Sequence, residues 1–245
     1  MAERAWLQTM QGFAESWTAE ELLDWSLHRF GQRIAVASAF GPEGIVLIDI
    51  ALRLRSDVRV FTLDTGLFFP ETYELMAKIE RRYGIEVERL KPALTVDEQN
   101  QEHGPSLWRH SPDRCCYMRK VEPLRAKLAT LEAWIAAIRR DQTPDRAHAQ
   151  KVEWDAKFGL IKINPLCDWT SDMVWDYVRN NDLPYNPLHD RGYPSIGCEP
   201  CTRRVENGAD PRSGRWAGLA KTECGLHQRP QPGALIVLQD KVLQD

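Results

Sequence analysis

The chain has 245 residues, of which 43% are hydrophobic and 27% charged, with a formal net charge of −3. This is an ordinary globular balance, long enough for one large domain or two small ones, and the charge gives no reason to expect a nucleic-acid partner. No apolar run approaches the roughly 20 residues of a membrane span, and the opening stretch, "MAERAWLQTMQGFAESW", has no apolar core of the signal-peptide kind.

The expected compartment is therefore the cytoplasm. There, six cysteines point to metal binding or catalysis rather than to structural disulfides.

In chain order, "TAEELLDWSLHRFG" predicts a helix. Thr18 and Glu21 fit a capping box, and Leu22, Leu23, Leu27 and Phe30 share one face. "RIAVAS" (33–38) reads as a buried strand, "FGPEG" as a turn and "IVLIDIALRL" as an apolar helix. "VRVFTLD" (58–64) is a second strand, "TGLFFP" a loop, and "ETYELMAKIERRYG" a helix closed by Gly84. "IEVERL" is a third strand, "VEPLRAKLATL" a helix and "AWIAAI" (133–138) a fourth strand. This alternation predicts an α/β fold: a mostly parallel sheet with helices on both faces.

Further on, "VEWD" and "LIKINP" fit a short hairpin around "AKFG", and "SDMVWDYVRNND" fits a helix with Ser171 as its N-cap. From Leu183 onward the chain is rich in Gly, Pro and Arg and reads as ordered loop around a site. The last stretch, "RPQPGALIVLQDKVLQD", follows a Pro-rich break, and its apolar run is expected to dock as a strand or helix or to meet a partner.

Four cysteines form two tight pairs: the adjacent Cys115 and Cys116, and Cys198 and Cys201 in "CEPC". Two close pairs far apart in sequence are what a four-thiolate metal site needs. Thiolates suit zinc and iron–sulfur alike. Directly adjacent ligands crowd a single tetrahedral ion, whereas in a cubane each can bind a different iron, so a 4Fe–4S cluster is favoured over zinc. Cys167, in "INPLCDW", follows an apolar run and reads as a packing residue. Cys224, in "KTECGLHQ", lies beside Gly225 with Lys221 and His227 close by, a basic setting that favours a reactive thiolate.

"SAFGPEG" (38–44) joins a strand to a helix, where nucleotide-binding α/β proteins turn backbone N–H groups toward a phosphate. "LDTG" (63–66) closes the next strand at the carboxyl edge, where open sheets bind ligands. Basic residues gather around Arg119 and Lys120, in "RRDQTPDR" (139–146), at Arg203 and Arg204, and at Arg212 and Arg215. In a chain of net negative charge this concentration suggests a polyanionic substrate.

Together "LDTG", "CCYMRKVEPL", "RRDQTP", "NPL", "LPYNPLHDRGYPSIGCEPCTRR", "GRW" and "ECGLH" resemble the assimilatory adenylyl-sulfate reductases, the iron–sulfur branch of the phosphoadenylyl-sulfate reductase family. The resemblance runs from about Ser38 to His227. It implies the adenine-nucleotide α-hydrolase-like fold, and a 4Fe–4S cluster on Cys115, Cys116, Cys198 and Cys201.

It also implies Cys224 as nucleophile. That thiolate attacks the sulfur of adenosine 5′-phosphosulfate, AMP leaves, and thioredoxin or a glutaredoxin-like thiol releases sulfite from an S-sulfocysteine, within sulfate assimilation and cysteine biosynthesis. Lys120, Arg146, Arg212 and Arg215 are expected on the phosphosulfate, with Ser38, Asp64 and Thr65 lining the nucleotide pocket and His227 among the substrate-binding residues. The expected organisation is a nucleotide- and cluster-binding domain (1–203), a mobile segment carrying Cys224 (204–230) and a tail (231–245), assembled as a homo-oligomer.

The nucleotide loop departs from the family's usual "SFSGAED": Phe40 replaces a hydroxyl and Gly44 an acid. A phosphoadenylyl-sulfate reductase, or an enzyme of both substrates, is the alternative activity. A non-catalytic, zinc-stabilised nucleotide module is a more distant one, and it would leave "ECGLH" without a role.

Overall fold

Six short strands form one sheet in the computed structural model, which describes residues 2–206 and 208–227. They are β1 (Ile34–Ala37), β2 (Val60–Leu63), β3 (Glu88–Leu90), β4 (Ala133–Ala136), β5 (Val152–Asp155) and β6 (Leu160–Ile163), in the spatial order β3-β2-β1-β4-β6-β5. All neighbours are parallel except β5, which runs antiparallel beside β6. The expected hairpin around "AKFG" is thus present, and it extends the parallel sheet through β6. The apolar stretch after His227, including residues 231–245, lies outside the described residues.

The helices are α1 (Ala2–Ala14), α2 (Ala19–Phe30), α3 (Pro42–Leu54), α4 (Pro70–Tyr83), α5 (Val96–His103), α6 (Leu107–His110), α7 (Pro112–Cys116), α8 (Glu122–Leu128) and α9 (Ser171–Asn180). The Thr18–Glu21 capping box is formed at α2, with both reciprocal hydrogen bonds present. At α9 the cap falls one residue before the expected Ser171. Thr170 accepts the Met173 N–H and keeps an extended backbone, while Ser171 is already helical.

Apolar side chains divide between the two sheet faces because successive strand residues alternate. Val36, Ile135 and Ile163 face one side, where they pack with α3 residues such as Ile45 and Ile48. Ala35, Phe61, Trp134 and Ala136 face the other, against Leu124 and Leu128 of α8. Strand order reverses at β1, whose neighbours are β2 on one side and β4 on the other. This is a topological switch point, and the carboxyl ends of β1 and β4 open there into a crevice.

Candidate active site

The crevice is a cleft of about 1030 Å³. Its floor is the carboxyl edge of the sheet: Ser38 after β1, Thr62 and Leu63 of β2, and Trp134 and Ala136 of β4. Lys120, Arg146, Arg212, Arg215, Cys224 and His227 all line it. Seven of the nine residues expected to touch substrate or react with it therefore meet in one cavity, although they span 190 positions of sequence (38 to 227).

The other two, Asp64 and Thr65, do not line the cleft. The Asp64 carboxylate accepts hydrogen bonds from the Tyr73 hydroxyl at 2.8 Å and the Gly66 N–H at 3.1 Å. Thr65 is fully buried, with its hydroxyl 3.3 Å from Cys198 Sγ and accepting the Leu67 N–H. Local partners thus hold both side chains. Thr65 braces the cysteine pocket instead.

The nucleotide loop explains its unusual residues. Phe40 is buried with φ +57°, its N–H donating to Ser38 Oγ at 3.1 Å. A Cβ on Gly44 would stand 2.4 Å from that same oxygen, so the first turn of α3 can pack on Ser38 only with glycine there. Phe40 thus serves the core, and Gly44 gives Ser38 its place. Glu43 pairs with Arg139 and accepts from Gln142 Nε2 at 3.0 Å, tying this loop to the one that follows β4.

The cysteine pairs come together across two elements. Cys115 and Cys116 end α7, and the chain continues through a single π turn, Tyr117–Val121, into α8. The helix therefore begins nine residues earlier than "VEPLRAKLATL" suggests. The π turn has a local cause: the Glu122 N–H bonds the Tyr117 carbonyl, and Pro123, which has no N–H, follows directly.

Cys198 and Cys201 flank a short 3₁₀ turn that is placed against α4's entry loop by a bridge between Phe68 and Cys198. All four cysteines line one small pocket with Leu67, Trp108, Pro112, Arg119, Lys120 and Trp216. Burial, reinforced by the neighbouring thiols, pushes Cys115 to about 12 and Cys201 to about 11. Such thiols stay protonated unless a metal displaces the protons.

The donor set of this pocket, four cysteines and, among the described residues, no other metal-ligating side chain, suits a thiolate-held metal group. Tetrahedral zinc, with Zn–S bonds of about 2.3 Å, draws its four ligands around one point. The indole N–H groups of Trp108 and Trp216 are buried without a partner, and both residues line this pocket. Unpaired donors of this kind suit a group that carries its own acceptor sulfurs. Arg119 is a wall rather than a ligand contact: its guanidinium donates to the Thr65 carbonyl at 2.6 Å and to Gln99 Oε1 at 3.0 Å.

Lys120 and Trp216 line both cavities. Lys120 is 9% exposed and donates no hydrogen bond among the described residues. Burial works against its charge, but Cys198, Cys224 and Cys116 outweigh that and hold the ammonium above its usual range. Arg215 stacks on the Trp216 ring at 4.6 Å, with its guanidinium against Gly197. A Cβ at that glycine would lie 2.2 Å from the Arg215 Nη2 atom, so "SIGC" needs its glycine for this approach.

Cys224 is partly buried and lines the cleft. Burial raises its pKa, but Lys120, a backbone hydrogen bond with Leu226 and the charge of Arg215 more than offset this, and the thiol lies below its ordinary value. His227 stacks on Trp134 at 5.7 Å and 9°, its Nδ1 buried without a partner. Burial and the surrounding cations Lys162, Arg146 and Arg212 push it well below the usual histidine range, so it is neutral. Cys167, by contrast, is fully buried beside Ile138 and Ala149, away from the cleft, as its sequence setting suggests.

Glu223 has no place in the sequence reading. It is 1% exposed and sits between Arg146, at 3.0 Å, and Arg212, at 3.4 Å. Its one sequence signal is adjacency to Cys224 in "ECGLH". Trp216 was likewise legible only as the neighbour of Arg215 in "GRW".

Comparison with known proteins gives one consistent answer. The family model described as "Phosphoadenosine phosphosulfate reductase domain" matches residues 33–204. "Adenosine 5'-phosphosulfate reductase 2" of Bacillus subtilis is 49% identical over 209 residues, 85% of this chain and 89% of that protein. "Phosphoadenosine 5'-phosphosulfate reductase" of Gloeobacter violaceus is 47% identical over 225 residues, 89% of this chain and 93% of that protein. Among solved structures, a phosphoadenylyl-sulfate reductase from Candida auris in a phosphate complex superimposes with a TM-score of 0.72 at 30% identity, covering 81% of this chain and 96% of that one.

Proposed function

Because the chain belongs to the phosphoadenosine phosphosulfate reductase family, we propose that it reduces adenosine 5′-phosphosulfate to sulfite and AMP, with Cys224 as nucleophile. Relatives that share nearly half of its residues over most of its length carry that activity in their names. The observation that carries the site assignment is Lys120. It borders the cleft and the cysteine pocket together, and it is the leading charge acting on Cys224, which lines the cleft.

The chemistry follows from this placement. The Cys224 thiolate attacks the sulfonate sulfur; an S–S bond forms, the S–O bond breaks, and AMP departs with the bonding pair on its phosphate oxygen. AMP is a good leaving group, so the site need supply little acid help. Its task is aim and charge compensation, and Lys120 and Arg215 are the cations placed for it.

A dithiol reductant of the thioredoxin or glutaredoxin class then attacks the Cys224 sulfur, and sulfite leaves with the S–S pair. The reductant's second thiol closes its own disulfide, which supplies both electrons and returns the Cys224 thiolate.

Cys115, Cys116, Cys198 and Cys201 would hold a 4Fe–4S cluster, whose contribution is a fixed charge beside Lys120 and a staple between two distant segments.

One observation favours a second substrate: the Gloeobacter relative of nearly equal identity is named for the 3′-phosphorylated form. Sulfite release from each nucleotide, with thioredoxin as reductant, decides. A higher kcat/KM for adenosine 5′-phosphosulfate is expected, and a clear preference for the phosphorylated form would reverse the assignment.

A further inference from the structure

Arg146 and Arg212, both expected on the substrate anion, are already engaged. The Glu223 carboxylate accepts from Arg146 Nε and Nη2, each at 3.0 Å, and from Thr143 Oγ1 at 3.2 Å, with Arg212 Nη2 at 3.4 Å. Burial works against this carboxylate's charge, yet the two guanidiniums and the hydroxyl prevail and keep it ionised. The next residue is Cys224. The same segment is tied at further points: Arg212 Nη2 donates to the Thr222 carbonyl at 3.0 Å, Lys221 pairs with Asp113, Lys157 donates to the Gly225 carbonyl, and His227 stacks on Trp134. Of these contacts, those of Glu223 and of the Thr222 carbonyl occupy groups that the incoming anion also needs, and Glu223 is the one that holds both arginines.

We infer that Glu223 is a positioning residue that acts as an internal stand-in for the substrate anion: it clasps Arg146 and Arg212 while the cleft is empty, and the nucleotide's phosphate competes with it for them. The clasp holds the Cys224 segment docked and keeps the buried Arg146 guanidinium and the partly exposed Arg212 one paired; the buried one would otherwise be costly to leave alone. Anion arrival loosens the clasp at Arg146 and Arg212 while the contacts of Lys221, Gly225 and His227 keep the segment at the cleft, and the reacting sulfonate meets Lys120 and Arg215, the latter held only by 3.4 Å bonds to Ser195 Oγ and the Ile196 carbonyl. Docking of the nucleophile and occupancy of the cleft are thereby coupled through one carboxylate. This rests on the sulfonucleotide reading of the cleft.

Glu223→Gln tests it, since glutamine keeps the shape and hydrogen-bonding reach but not the charge. Two quantities are read on the full-length, cluster-loaded protein without reductant: the rate of tryptic cleavage after Lys221, and the affinity for AMP by calorimetry. The clasp predicts cleavage faster by about tenfold and AMP bound tighter by up to about tenfold, the low end of what a hydrogen bond to a charged group is worth. Thr143→Val, which removes one donor to the same carboxylate and leaves the backbone bond from the Arg146 N–H to the residue-143 carbonyl in place, should move both in the same direction by less.

A carboxylate that merely supports the fold would lower thermal stability and weaken AMP binding, never tighten it. Unchanged cleavage together with unchanged or weaker AMP affinity overturns the inference. If AMP fails to bind the wild-type protein, the substrate reading is at fault, and the cleavage rate still decides whether the clasp exists.

Discussion

Two regions of this molecule are held by different forces. Around β1 and β4 the chain is fixed by apolar burial: Val36, Ile48, Ile135 and Ile163 are entirely removed from solvent and pack between sheet and helix. Residues 221–227 are held mainly by charge and polar contact, through Lys221 with Asp113, Glu223 with Arg146 and Arg212, and Lys157 with Gly225. The first kind of region opens only with global unfolding. The second can open locally, because each of its contacts can be exchanged for water or for another ion. The strands that frame the cleft are thus rigid, while the segment carrying Cys224 rests on exchangeable contacts, which suits the two successive encounters proposed for that thiol.

The largest effect should separate chemistry from scaffold. Cys224→Ser should lower sulfite formation by about 10⁴-fold or more, on the scale of losing a nucleophile, while thermal stability, iron content and AMP binding stay as in the wild type. Retained turnover would remove Cys224 from the mechanism. Ile135→Ala does the reverse. A cavity in the sheet core should cost about 2–5 kcal/mol of folding stability, with kcat/KM per folded molecule little changed, as measured by denaturant titration beside initial rates.

Lys120→Ala should raise the barrier by about 2–4 kcal/mol, the scale of one lost oxyanion donor, with a much smaller change in melting temperature. The same variant sharpens the pH dependence. In the wild type the Cys224 thiol lies below its ordinary value: burial raises it, and Lys120 leads the groups that lower it. The single-turnover rate should therefore rise with pH along a limb below that of a free thiol, near 8.5, and the limb should move upward in Lys120→Ala. A limb unmoved by the substitution would mean that Lys120 does not act on Cys224.

The smallest effect is at the exposed end of the segment. Asp113 is 87% exposed, so Asp113→Ala should cost under about 1 kcal/mol, read as a slight gain in tryptic cleavage after Lys221 that added salt masks.

The same contrast governs what the sequence could disclose. Strands β1, β2 and β4 were legible because buried parallel strands are short apolar runs bounded by turn residues. Thr18 and Glu21 named their own cap. The hairpin of β5 and β6 followed from its alternation. At α9 the reading erred by one residue because Thr170 and Ser171 are both competent caps.

Helix α1 went unread, although Trp6 and Leu7 pack on the core and Trp6 stacks on Trp25 at 6.2 Å. In the site, cysteines and cations announced themselves by residue type. Asp64 and Thr65 were placed by their position after β2, but their side chains follow local partners, Tyr73 and Cys198, that no local pattern discloses. Glu223 was passed over because an acid is not expected in an anion site until the arginines are seen to need one.

The most direct measurement mixes the wild-type enzyme with adenosine 5′-phosphosulfate in the absence of any reductant, then quantifies AMP and maps the protein by peptide mass. Nucleophilic attack by Cys224 predicts about one AMP released per site and a sulfonate adduct on the peptide containing Cys224. The same adduct on the peptide containing Cys167, or stoichiometric AMP with no adduct on any cysteine, would contradict it.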